Sequence, residues 1–234
     1  MNWLTLGVET SGMFGAVALR RDGQTIESVS LQQAGRRHAQ TLAAEVDAML
    51  RRAGVSSQEL EVIAVSIGPG SFTGLRVGVV FAKTLAYAIG CRLAAVDTFR
   101  AMAAACPTNV SEVFVVSDAQ RGDLFVGKYA FGDSSSGPMR VAEIAIESTG
   151  SFAQRFQEIA ATRSDIAITG PAVATLQAIL PTAVRVLAPE LQHPRAEFIA
   201  ELGEQQVATG ELSDPWRLEP FYLRRSAAEE KASS

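Results

Sequence analysis

The chain has 234 residues, 47% apolar and 20% charged, which is long enough for one large domain or two small ones with cores of their own. Its 21 basic and 25 acidic residues leave a net charge of −4, so no surplus of positive charge exists to neutralise a run of phosphates, which argues against tight stand-alone binding to nucleic acid. No basic n-region precedes an apolar stretch at the N-terminus, and the most apolar run, 77–89, is broken by Lys83 and falls short of the roughly 20 residues that cross a bilayer; the reading is a soluble cytoplasmic protein. Cys91 and Cys106 are read as small buried hydrophobes.

In chain order, 3–8, 14–20 and 24–30 are strand-like runs punctuated by Gly12 and Asp22-Gly23, and they predict an antiparallel meander with a hairpin turn at Asp22-Gly23. Leu42, Val46, Met49, Leu50 and Ala53 share one stripe, which predicts a helix over about 38–53 that stops at Gly54. Ser56 with Glu59 matches a capping box and leads into a buried strand at 61–67. After Gly68-Pro69-Gly70-Ser71 comes a long helix over about 73–89, ended by Gly90, and then a strand at 92–96. Three antiparallel strands followed by helix, strand, helix, strand is the order of a ribonuclease-H-like unit, the repeated lobe of actin and sugar-kinase folds. From about residue 105 the order recurs in shortened form: strands at 113–117, 123–131 and 141–147, a helix at 151–161, a strand at 165–169 and a helix at 195–208. The expected fold is α/β, with lobes at 1–104 and 105–225, a flexible loop at 133–137 and a disordered tail at 226–234.

The strongest local motif is Gly68-Pro-Gly-Ser-Phe-Thr-Gly-Leu-Arg76, a glycine-rich turn between a buried strand and a helix N-terminus. Gly68, Gly70, Ser71 and Thr73 could contact a phosphate there, because glycines let backbone approach closely and a helix N-terminus favours an anion. The same residues also fit a tight structural turn in which Ser71 or Thr73 caps the helix. No Gly-Lys-Ser/Thr follows, so it is not a Walker A loop. The helix behind it is apolar nearly all round, with Arg76, Lys83 and Tyr87 along one side, and a helix of that kind needs cover on more than one face. The cover is the 38–53 helix, alone or together with a partner subunit, and the candidate interface is Leu42, Val46, Arg76, Val80, Lys83 and Tyr87.

Other groups offer less. Glu9 ends the first strand, where it could hold a metal-bound phosphate or simply cap the strand. His38 has Ala34 and Leu42 one turn to either side, so no second ligand forms a metal pair, and His193 lies in a distant Pro-flanked loop. Asp118 to Asp123 could be catalytic carboxylates or a charged turn. No serine sits in a G-x-S-x-G context, which argues against serine-hydrolase chemistry.

The block Ser66-Ile-Gly-Pro-Gly-Ser-Phe-Thr-Gly-Leu-Arg-Val-Gly-Val-Val-Phe-Ala-Lys-Thr-Leu-Ala86 closely resembles the signature of the TsaB (YeaZ) family. Gly7-Val-Glu-Thr-Ser11 with Ala16-Val-Ala-Leu19, Arg37-His38, Ser117-Asp-Ala-Gln-Arg-Gly-Asp123 with Tyr129, and Glu219-Pro-Phe-Tyr-Leu-Arg224 match in the family's order across nearly the whole chain. One departure is Glu9, where the family commonly has Asp. The resemblance implies a two-lobed actin-like ATPase fold and a non-catalytic scaffold that pairs with TsaD through the 38–53 and 73–89 helices. TsaD would carry the metal-binding histidines and transfer threonylcarbamoyl to the adenosine beside the anticodon of tRNAs reading codons that start with A. TsaE, a small ATPase, would join the assembly. By the same resemblance this chain has no catalytic residue, metal or required cofactor of its own and meets tRNA only indirectly, while ATP or ADP at the partner interface and a homodimer through the same helices stay open. The alternatives are an ATP-binding or ATP-hydrolysing enzyme of the same fold and a glycoprotease-type peptidase, for which no nucleophile–base or metal–glutamate set is present.

Overall fold

The computed structural model describes residues 3–31, 38–107, 109–132, 137–182 and 184–224. Arg37, most of the 133–137 loop and the 226–234 tail lie outside the described residues. In chain order the elements are β1 (Leu4–Glu9), β2 (Ala16–Arg21), β3 (Gln24–Ser30), α1 (His38–Arg52), β4 (Val62–Gly68), α2 (Phe72–Ile89), β5 (Arg92–Asp97), α3 (Thr98–Ala104), β6 (Glu112–Gln120), β7 (Asp123–Phe131), β8 (Pro138–Arg140), β9 (Ala145–Ser148), α4 (Thr149–Thr162), β10 (Ile166–Thr169), α5 (Val173–Leu176), β11 (Arg185–Val186) and α6 (Ala196–Ala208).

They divide into two compact units, one of Met1–Ala101 with Arg195–Tyr222, the other of Met102–Pro194 with Leu223–Ser234. In the first, the sheet order is β3-β2-β1-β4-β5, with β1–β2 and β2–β3 antiparallel and β1–β4 and β4–β5 parallel. The hairpin turn falls where expected: Arg21 pairs with Gln24, and Asp22 and Gly23 take φ of 55° and 76°, the left-handed pair that matches strand twist. All six residues of β1 are buried because the strand is central and covered on both faces. Leu6, Val8, Ile63 and Val65 join Leu42, Val46, Met49, Val79, Ala82 and Ala86 in one core beneath α1 and α2. Strand alternation turns Ala64 and Ala94 the other way, onto Gly203 of α6.

That placement of α6 differs from the sequence division at 104/105, which gave this helix to the second half. α6 packs on β1, β2, β4 and β5, and its Glu204 and Glu201 lie 3.3 and 3.5 Å from the buried Arg20 of β2. Small residues at Ala200 and Gly203 let it sit close on the sheet, a fit made by residues far apart in sequence.

The second unit repeats the pattern as β11-β10-β6-β7-β8, with β6–β7 antiparallel and β10 parallel to β6. Phe152 and Phe156 of α4 cover it, Phe156 meeting Phe114 edge to face at 5.1 Å. The strand expected at 141–147 is two short strands instead. β8 pairs with 129–131 of β7 and β9 with 123–126, so one nine-residue strand takes two partners along the same edge. The short α3, α5 and β11 carry too little periodicity to be read from sequence.

Candidate partner-docking face

The glycine-rich motif is built as a packing joint. Gly68 and Pro69 are joined by a cis peptide and Gly68 has φ 121°. Ser71 caps α2, its hydroxyl accepting from Gly74 N–H at 3.2 Å, so of the two expected caps Ser71 is the one used. The Ser71 N–H donates to the Ser11 carbonyl at 2.7 Å. A Cβ at Gly70 would stand 2.6 Å from Ser11, and Cβ atoms at Gly74 and Gly78 would run into Thr10, closer than the 3.0 Å real Cβ atoms keep. The glycines admit the β1–β2 turn, and the Ser71 and Gly74 N–H groups are taken up within it, by the Ser11 carbonyl and the Ser71 hydroxyl. Thr73 is exposed beside them and makes no cap.

Glu9 faces inward. It is fully buried, and its Oε1 accepts from Ser11 N–H at 2.5 Å, Ser11 Oγ at 2.6 Å and Gly12 N–H at 3.0 Å, while Oε2 has no partner among the described residues. Burial pushes its pKa above 4.5 against the opposing hydrogen bonds from Ser11 and Gly12. An acid whose folded pKa is raised contributes stability below its unfolded value and loses it as pH rises through the folded value. Wild type is therefore expected to lose melting temperature relative to Glu9→Gln as pH climbs above 4.5; a difference that stays flat with pH would show Glu9 ionised throughout. Through Oε1 the Glu9 side chain ties down the turn that follows β1.

Asp118 to Asp123 is likewise a shaped turn. Asp118 accepts from Gln120 N–H at 2.7 Å, and Gln120, Arg121 and Gly122 all have positive φ. Arg224 secures it, donating to the Ala119 carbonyl at 2.5 Å and pairing with Asp123 at 2.7 Å. Sequence reasoning gave Arg224 no role; only its place in the Glu219–Arg224 block singled it out. Among the described residues no three His, Cys, Asp or Glu side chains cluster, and His38 is the first residue of α1 with its side chain outside the described set. Burial pushes the Cys91 and Cys106 thiols up to about 11. Alkylation at pH 8 is therefore expected to run roughly 100-fold slower on native protein than on unfolded chain, as the thiolate fraction dictates. Mass spectrometry of quenched samples reads this; Cys106 is buried and Cys91 half-buried, and fast labelling of Cys106 would contradict its burial.

The exposed apolar feature is α2. At 18 residues it is long and apolar enough by length and composition to cross a bilayer, beyond what the sequence reading allowed for a core ending at Ile89. Its Gly74, Leu75, Gly78, Val79, Ala82 and Ala86 face is buried on the sheet instead. A flanking stripe carries exposed Arg76, Val80 and Tyr87, with Val80 59% and Tyr87 63% accessible. Leu42 and Val46 correct the proposed interface: at 2% and 3% exposure they belong to the chain's own core, because α1 turns its stripe onto β2 and α2. They contribute only edges to the surface. Leu42 borders an open cup of about 410 Å³ with Arg76, Val77, Val80 and Phe81, and Val46 borders a groove of about 550 Å³ between the helices.

A second border was not foreseen. The segment after α6 runs along the other side of α2: Lys83 Nζ donates to the Leu218 carbonyl at 3.3 Å, Tyr87 meets Trp216 edge to face at 4.9 Å, and Phe221 N–H donates to the Ile67 carbonyl at 2.7 Å. Trp216 remains 74% exposed. This segment has no periodicity to read, and its aromatic residues were the available signal.

Two units with the same sheet order, parallel and antiparallel pairs in matching places, define an actin-like ATPase fold, here with its first glycine loop packed shut on Ser11 and an apolar helix face left open. A family model described as TsaD, tRNA N6-adenosine threonylcarbamoyltransferase, matches residues 26–232. The chain belongs to the TsaB (YeaZ) family, within the wider group that this model describes. It is 25% identical over 230 residues to the tRNA threonylcarbamoyladenosine biosynthesis protein TsaB of Bacillus subtilis, covering 97% of this chain and 96% of that one. A Pseudomonas aeruginosa protein with similarity to peptidase YeaZ superposes with a TM-score of 0.81 at 25% identity, over 95% of this chain and all of that one. A tRNA N6-adenosine threonylcarbamoyltransferase of Desulfovibrio desulfuricans is 35% identical over 112 residues, 42% of this chain and 31% of its own.

Proposed function

We propose that this chain serves tRNA threonylcarbamoyladenosine formation as a non-catalytic, cytoplasmic scaffold, docking a TsaD-type subunit on the α1–α2 face. The observation that carries the reading is the Arg76, Val80 and Tyr87 stripe, an exposed face on a helix otherwise built for a core. Single exposed apolar side chains are ordinary; a stripe bordered by the cup at Arg76 and Val80 and by a second hollow at Tyr87 and Trp216 is the form of a protein interface. The name of the Bacillus subtilis relative supports the pathway, and the shared family model supports a partner of similar fold. On this reading the partner performs the transfer to the adenosine beside the anticodon in tRNAs for codons that start with A, and TsaE belongs to the larger assembly.

Size-exclusion chromatography with light scattering tests it. The chain alone and mixed with the TsaD-type subunit from the same source should differ, the mixture eluting as a one-to-one complex. Failure to co-elute would count against scaffolding. A homodimer that dissolves on adding the subunit would mean that both use this face. Isothermal titration with ATP and magnesium addresses the enzyme reading, which predicts micromolar binding by the chain alone.

A further inference from the structure

Arg76 is held in an unusual way for an exposed cation. Its guanidinium lies 4.0 Å from the centroid of the Phe72 ring, its Nε donates to the Tyr222 hydroxyl at 3.0 Å, and the Phe72 and Tyr222 rings stand 4.7 Å apart. These contacts fix the plane of the group without neutralising it. Among the described residues no carboxylate lies within 4.0 Å of Arg76; the same holds for Arg21, Arg92 and Arg185, but none of those three lines the cup beside Val80. Lys83, the neighbouring cation on α2, already donates to the Leu218 carbonyl. The pinned guanidinium forms the rim of the cup whose other walls are Leu42, Val77, Val80 and Phe81.

A partner that fills such a cup strips water from its rim. Charges attract more strongly there, and a cation left without an acceptor costs far more than it would in solvent. An occupant that is apolar alone is thereby disfavoured, and a planar, pre-oriented guanidinium suits two-point pairing with a carboxylate.

We propose that Arg76 is the carboxylate receptor of the docking face: the TsaD-type subunit seats an apolar side chain in the cup and sets an Asp or Glu beside it, on the guanidinium held by Tyr222 and Phe72. This rests on the docking reading above and adds the chemistry that the face selects.

The test is the affinity of the purified TsaD-type subunit for wild type, Arg76→Gln, Tyr222→Phe and Val80→Glu across a range of salt concentrations, with circular dichroism on each variant. Arg76→Gln is expected to weaken binding at least ~10-fold at low salt and to flatten the salt dependence. Tyr222→Phe leaves the charge but frees its plane, so it should weaken binding less and keep the wild-type salt slope. Wild-type affinity and slope in Arg76→Gln, with Val80→Glu still impaired, would overturn the receptor while leaving the face in place. No binding by wild type would overturn the docking reading and the receptor together. Loss of self-association alone in Arg76→Gln would overturn the choice of occupant and give the receptor to a second copy of this chain.

Discussion

Val80→Glu is expected to weaken binding of the TsaD-type subunit by ~100-fold or more, as truncating or charging a central interface anchor does, while the isolated chain folds and melts as wild type does. The side chain is 59% exposed and borders the cup, so the glutamate stays in water in the free chain, and on docking it both puts a charge where an apolar side chain seats and competes, one turn from Arg76, for the guanidinium. Its effect on folding should stay within about 0.5 kcal/mol, the usual range for surface substitutions. A Lys83→Glu/Tyr87→Glu pair attacks the same face less cleanly. Lys83 holds the Leu218 carbonyl and Tyr87 packs on Trp216, so that pair also loosens the 211–222 segment. Surface plasmon resonance with the subunit immobilised reads the affinity, and thermal melts read the fold. Wild-type affinity in a folded Val80→Glu protein would remove α2 from the interface.

The contrast between Val79 and Val80 explains what the sequence could convey about this site. They are adjacent and identical in type, yet Val79 is 2% exposed and Val80 is 59%. Helical spacing separates them, since Leu75, Val79, Ala82 and Ala86 fall on one face and Arg76, Val80 and Tyr87 on a flanking one. An apolar composition on both faces signals surplus surface without saying which face the sheet takes. The stripe of α1 had the opposite fate, because nothing in Leu42 or Val46 says that β2 and α2 already use it. Turn chemistry was more legible: Asp22-Gly23, Gly54, Gly90 and the Ser56–Glu59 box act through local dihedrals and hydrogen bonds, and each sits where expected. Nonlocal placement was not legible, as α6 shows, because its seat depends on Gly203 meeting Ala64 across more than half the chain.

Gly74→Ala is expected to cost more than about 4 kcal/mol of folding stability, a large share of the whole for a domain of ordinary stability. Helix propensity alone argues the reverse, since alanine inside a helix is favoured over glycine by about 1 kcal/mol. The close approach decides the sign. A Cβ at Gly74 points into the backbone carbonyl of Thr10, and that carbonyl belongs to the turn whose neighbour Ser11 receives the Ser71 N–H, so neither side can yield without undoing the other. Gly78→Ala provides an internal comparison, because its Cβ meets chiefly the Thr10 hydroxyl, which has no hydrogen-bond partner among the described residues. That variant should cost about 2 kcal/mol from overpacking, and adding Thr10→Ala should restore most of it. No change at residue 10 should rescue Gly74→Ala, since every residue there keeps the carbonyl. Urea unfolding of the two single variants and the two doubles measures all four values. A Gly74→Ala protein as stable as wild type would mean that the α2 N-terminus does not rest on the β1–β2 turn, and the glycines of the motif would again need a ligand to explain them.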